Sequence, residues 1–194
     1  MRKRNIERLL LAGMAAGMIL SGCGGPEKEL PEKELPEENI AGSISDGIFH
    51  SRDDLYTLSA PDDLWEVSEL DGCEELRLKE NPSVAITFSY LEDVPDGLME
   101  TFENEFAESF LEDLSGQYQG VEKQETYPVS DHMAGFSVTM TDPEMDFAMY
   151  QLFYLAAEDE DACLITSILP ANEAELLEPK VREAIESFAF VQIP

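Results

Sequence analysis

From residue 44 onward the apolar positions of this chain follow two periods in turn. Residues 55–60, Leu-Tyr-Thr-Leu-Ser-Ala, alternate with period two as a strand does, Pro61-Asp62-Asp63 supplies a turn, and Leu64-Trp65-Glu66-Val67 opens a second extended segment. Leu76-Arg77-Leu78 and residues 83–91 flank the turn dipeptide Asn81-Pro82, which predicts a hairpin. Between residues 96 and 114 the period lengthens: Met99, Phe102, Phe106, Phe110 and Leu114 recur at three and four and share one face of a single long helix, with Gly116 as its stop. The opposite face carries Glu100, Glu103, Glu105, Glu108, Glu112 and Asp113 and no lysine or arginine, so burial of the phenylalanine stripe rather than surface ion pairing must hold this helix.

Period two then returns in residues 121–127, 135–140, 147–156 and 162–169. In the third of these, Phe147, Met149 and Phe153 point one way while Tyr150, Leu152 and Tyr154 point the other, as in a central strand covered on both faces. The turn after it is Glu158-Asp159-Glu160-Asp161, consistent with an antiparallel pair. A closing helix over residues 172–188 has an Asn172-x-x-Glu175 capping pattern and an apolar face of Leu177, Val181, Ala184, Ile185 and Phe188; Pro179 is expected to kink it or split off its first turn.

The first 43 residues have a different composition. Arg2, Lys3, Arg4 and Arg8 precede an apolar run from Leu9 to Leu20 that is shorter than the ~20 residues a bilayer crossing needs, which is the layout of a secretory signal peptide. The run ends in Leu20-Ser21-Gly22-Cys23, which resembles the processing box of bacterial lipoproteins. That resemblance implies cleavage before Cys23, a diacylglycerol on its thioether and, in many bacteria, a third fatty acyl chain such as palmitate on the new amino terminus. Several chains are what stable anchoring requires, since one acyl chain holds a protein only marginally. Residues after Cys23 repeat every five positions, Pro26-Glu-Lys-Glu-Leu30, Pro31-Glu-Lys-Glu-Leu35 and Pro36-Glu-Glu-Asn-Ile40. Recurrent proline blocks a helix and like charges extend the segment, so it reads as a spacer. The expected organisation is therefore a signal peptide at 1–22, a lipidated cysteine and tether at 23–43, and one globular domain at 44–194, a size that supports a single core.

Formal charge is −30 for the whole chain, and residues 1–22 hold four basic residues and one acidic one, so the mature chain carries −33. Such a charge favours a soluble monomer and argues against nucleic acid, anionic lipid and wall polymers as partners of the folded part, while permitting a cationic protein surface or divalent ions. Reactive motifs are scarce. His50 and His132 are the only histidines, and there is no Gly-x-Ser-x-Gly elbow, His-Glu-x-x-His helix or glycine-rich phosphate loop. Asp142-Pro-Glu144-Met-Asp146 offers alternate carboxylates but lacks the glycine and distal glutamate of an EF-hand, and reads as a solvated turn; no metal or cofactor is expected. Cys73 and Cys163 could pair as a disulfide in an oxidising compartment or remain two separate thiols, and sequence leaves both open.

The order of elements, a Pro61-x-x-x-Trp65 turn after the first strand, a hairpin, a long helix, a run of antiparallel strands and a last helix ending in Ile185-Glu-Ser-Phe188, resembles the PsbP-like branch of the Mog-one/PsbP superfamily. The resemblance implies an α/β (α+β) fold, an α/β/α sandwich with a central, mainly antiparallel sheet carrying the long helix and the C-terminal helix on its faces. It also implies a non-enzymatic interaction or assembly module. Together with the anchor, the expected protein is a lipoprotein at the extracytoplasmic face of the cell membrane that binds another envelope protein. The alternative is a lipoprotein that binds a small solute or a divalent cation.

Overall fold

The computed structural model describes residues 42–70, 73–94, 97–102, 106–144 and 146–191; the signal peptide, Cys23 and nearly all of the tether lie outside the described residues. Strands form where alternation or doubled apolarity was expected, and three short ones form besides. They are β1 (Ser43–Ser45), β2 (Ile48–His50), β3 (Tyr56–Ser59), β4 (Trp65–Leu70), β5 (Cys73–Leu78), β6 (Asn81–Leu91), β7 (Gln119–Ser130), β8 (Met133–Asp142), β9 (Phe147–Glu158), β10 (Asp161–Pro170) and β11 (Ala189–Phe190). Three helical segments accompany them, α1 (Leu98–Thr101), α2 (Ala107–Ser115) and α3 (Ala174–Glu186). The fold is α+β, and among the described residues every strand pair is antiparallel.

Seven strands make the main sheet in the order β4-β5-β6-β10-β9-β8-β7, and a small sheet has the order β1-β2-β3-β11. Strand β9 shows why its sequence is apolar at nearly every position. Met149 and Phe153 pack with Phe102, Phe106, Phe110 and Leu114 on one face, whereas Leu152 and Tyr154 pack with Leu177, Val181 and Ile185 of α3 and with Phe49 and Leu58 of the small sheet on the other. The phenylalanine stripe does what its spacing predicts. The Phe102, Phe106 and Phe110 rings stack in series at 5.3 and 5.2 Å, and Phe110 meets Phe153 edge-on at 4.6 Å. Within the span expected as one helix, the described residues hold α1 and α2, and residues 103–105 between them lie outside the description.

Two local expectations are corrected. Leu78 pairs with Asn81, so the hairpin turns at Lys79-Glu80 and Asn81-Pro82 begin strand β6, where a proline near a strand's start removes no needed donor. Helix α3 starts with Glu173 as its N-cap and without a side-chain cap, so Asn172 does not serve; Glu173 instead accepts a hydrogen bond from Asn81 Nδ2 at 2.9 Å. The helix includes Pro179, and Leu177 before it and Val181, Ala184 and Ile185 after it are all buried against the sheet.

Candidate functional site

Strand β6 leaves the main sheet at Leu91, whose partner is Ala162. Just beyond, the Val94 N–H donates to the Glu160 carbonyl at 2.7 Å, and this bond draws Glu92 and Asp93 against the β9–β10 turn. Asp93 and Asp159 adopt φ of 53° and 52°, in the left-handed region that glycine, asparagine and aspartate tolerate because a short polar side chain can satisfy the local backbone. All five non-glycine residues with positive φ among those described are aspartates, beside Gly47, Gly97 and Gly120.

Two acidic turns thus rim one cleft. Its carboxylates are Glu92, Asp93, Glu158, Asp159, Glu160 and Asp161, its apolar wall is Leu55, Tyr90, Phe190 and Val191, and its volume is ≈ 1060 Å³. The wall is fixed by the small sheet: Phe190 pairs with Tyr56, and the Val191 N–H donates to the Leu55 carbonyl at 2.9 Å. Tyr90 meets the Phe190 ring edge-on at 6.3 Å and stacks with Tyr56 at 6.3 Å. Burial, and then a hydrogen bond to Asp161, push the Tyr90 phenol up to about 12, so it stays neutral beside the acids. No lysine or arginine is among the described lining residues.

A smaller groove of ≈ 360 Å³ shares Leu55 and Tyr90 and adds Arg52, Tyr56, Cys73 and Glu74. Glu74 accepts from the Arg52 backbone N–H at 2.7 Å and from the Tyr56 hydroxyl at 3.2 Å, and Arg52 Nη2 reaches Glu69 at 3.5 Å. The other described cations are likewise engaged. Arg77 meets the buried Glu75, Lys180 meets Glu80, Lys79 bonds the Asp62 carbonyl, Lys123 lies 5.4 Å over the Phe136 ring, and Arg182 binds Glu186 at 2.7 Å while lying 4.1 Å over the Tyr127 ring.

Of the residues singled out from sequence, Cys23 lies outside the described residues. Cys73 and Cys163 are free thiols, the first exposed and the second buried. They sit on β5 and β10 with β6 between, two strand spacings or ~10 Å apart, beyond the ~7 Å that a disulfide can bridge, so the pairing considered from sequence is not made. Burial pushes the Cys163 thiol up and leaves it inert. His50 ends β2 with Nδ1 3.7 Å from Asp54, His132 is exposed in the β7–β8 turn, and neither lines the cleft or the groove. In the Asp142 to Asp146 turn, the Glu144 N–H donates to Asp142 Oδ1 at 2.8 Å. Among the described residues no group of three His, Cys, Asp or Glu side chains is placed to hold a metal ion, and no helix is long and apolar enough to cross a membrane. The cleft itself escaped the sequence reading, because Glu92-Asp93 had no assignment there, residues 158–161 read only as a turn, and the two meet through the pairing of β6 with β10.

No family model matches the chain, and no curated protein is similar to it. Among solved structures, cyanobacterial PsbP (CyanoP) from Synechocystis sp. PCC 6803 superposes with a TM-score of 0.52 at 9% identity, over 82% of this chain and 98% of that one. A protein from Bacteroides thetaiotaomicron gives 0.49 at 8% identity, over 77% of this chain and 50% of that one. LpqN, involved in cell envelope biogenesis of Mycobacterium tuberculosis, gives 0.47 at 11% identity, over 71% and 83% respectively. The chain has a PsbP-like fold.

Proposed function

We propose that this PsbP-like domain is a lipid-anchored accessory module at the extracytoplasmic face of the membrane, which binds another envelope protein and carries out no chemistry of its own. The observation that carries the reading is the cleft. It combines an aromatic and aliphatic wall with a carboxylate rim, the mix of apolar centre and polar edge by which protein surfaces hold a partner, and its described lining includes no histidine, serine or cysteine. The placement of α1 and α2 on one face of the main sheet and α3 on the other accords with the α/β/α sandwich implied by the family resemblance. The Leu20 to Cys23 box supports an acylated Cys23 as the anchor, and the charge supports a monomer. The alternative, a site for a divalent cation, gains no support from carboxylates that do not converge as oxygen ligands must.

Two measurements test this. Mass spectrometry of the mature amino terminus should find Cys23 diacylated, and Cys23→Ala should move the protein out of the membrane fraction. Crosslinking in intact cells should recover a specific envelope protein with the anchored wild-type chain; recovery of no more than a control lipoprotein brings down would end the binding reading.

A further inference from the structure

We infer that the cleft beneath the β9–β10 turn takes a lysine- or arginine-bearing segment of the partner protein, its aliphatic stem against Leu55 and Val191 and its cationic head between Tyr90 and the acidic rim. This rests on the reading of the protein as a binding module and names what that module recognises. Three observations select this occupant. The wall is apolar and aromatic while the rim is anionic, and lysine and arginine are the side chains that present a hydrocarbon stem and a positive head together. A ring of Tyr90 type adds attraction for a cation at its face, the more so where water is partly excluded. A wholly apolar occupant would strip water from the carboxylates without return, and an anion would be repelled.

No described lysine or arginine lines this cleft. Arg52, in the adjoining groove, is engaged by Glu69, and the other described cations meet partners elsewhere, so none lines this rim. A bare metal ion is the poorer match, because it needs oxygens converging on one point, whereas a peptide cation is satisfied by carboxylates spread along a wall. The size agrees as well, since ≈ 1060 Å³ is at the upper end of ligand pockets and suits several residues of an extended segment rather than one ion.

The experiment uses the full-length acylated protein in a non-ionic detergent and a fluorescent capped heptapeptide, Gly-Leu-Lys-Leu-Lys-Leu-Gly, followed by anisotropy. Control peptides replace lysine by glutamate or by norleucine. Saturable binding of the lysine peptide alone is expected, weakened about tenfold or more by Glu158→Gln/Glu160→Gln and by Tyr90→Leu, and less than about twofold by Glu108→Gln/Glu112→Gln on α2, which removes the same charge elsewhere. Melting curves of each variant confirm that it is folded. Equal weakening by the two double variants would reduce the effect to bulk charge and overturn the inference, as would equal binding of the norleucine peptide. If crosslinking recovers an envelope partner whose capture is unchanged in Glu158→Gln/Glu160→Gln, the binding module stands and this occupant falls. If the lysine peptide binds at the cleft but no partner is recovered in cells, the occupant stands and the proposed cellular role falls.

Discussion

Gly135 is a position where one methyl group decides packing. It lies opposite Tyr154 on β9, and a Cβ built there would come within 2.6 Å of the Tyr154 ring and 2.8 Å of the Phe153 carbonyl oxygen. Tyr154 is wholly buried and cannot yield. Gly135→Ala is therefore expected to cost about 1–3 kcal/mol, read as a melting temperature lower by roughly 2–4 °C per kcal/mol for a domain of this size; an unchanged melting point would contradict the close approach. The tyrosines make a second single-residue case. Burial raises the phenols of Tyr56, Tyr90, Tyr127 and Tyr154, that of Tyr90 to about 12. A raised folded-state value means that the native chain holds these protons more tightly than the unfolded one, whose phenols ionise near ~10. Their contribution to stability is thus full below pH ~10 and is lost as pH rises toward about 12. Absorbance at 295 nm and circular dichroism recorded together should show phenolate appearing with unfolding in that window, and Tyr90→Phe should lessen the loss. Phenolate forming near pH 10 with the dichroism intact would refute the assignment.

Among the elements, α2 combines a well-buried inner face with an outer face that opposes itself. Phe110 and Leu114 are buried, yet Glu108 and Glu112 are like charges one turn apart and no basic residue stands in the last turn, where the helix dipole prefers one. Glu112→Lys converts that pair into a favourably oriented Glu108–Lys pair and complements the dipole. A gain of about 0.5–1 kcal/mol in urea unfolding is expected, largely erased in 1 M NaCl. Legibility in the sequence tracks the same contrast between long and short elements. The phenylalanine stripe, the doubled apolarity of β9 and the acidic turn before β10 are long-period signals, and each gave its element. Strands β1, β2 and β11 are three, three and two residues long, too short for alternation to register, so only β3 of the small sheet was legible. Phe190 and Val191 consequently had no assigned place, although they form half of the cleft's apolar wall. The Asn172 cap and the Asn81-Pro82 turn failed because tertiary pairing, Leu78 with Asn81 and Asn81 with Glu173, outweighed a local propensity.

For the whole molecule the governing quantity is a formal charge of −30 over 194 residues. Self-repulsion of that size opposes compaction, and added salt screens it within a Debye length of ~10 Å at 0.1 M. The melting temperature is expected to climb steadily between 10 mM and 0.5 M NaCl. Calcium or magnesium chloride at matched ionic strength should add no saturable increment; a stoichiometric one would revive a metal-binding role. The strand order has a further consequence, for when the chain can fold. Strand β6 pairs with β10 about 75 positions later, and β3 is closed by β11, with Thr57 opposite Ala189. The other main-sheet pairs join neighbours in sequence, but the loop-closure entropy of these two distant pairings must be met before they reward it, so closing both sheets awaits late-made residues. A polypeptide emerging in order through a narrow pore could make its hairpins early but could not join them into one sheet until β10 had also passed.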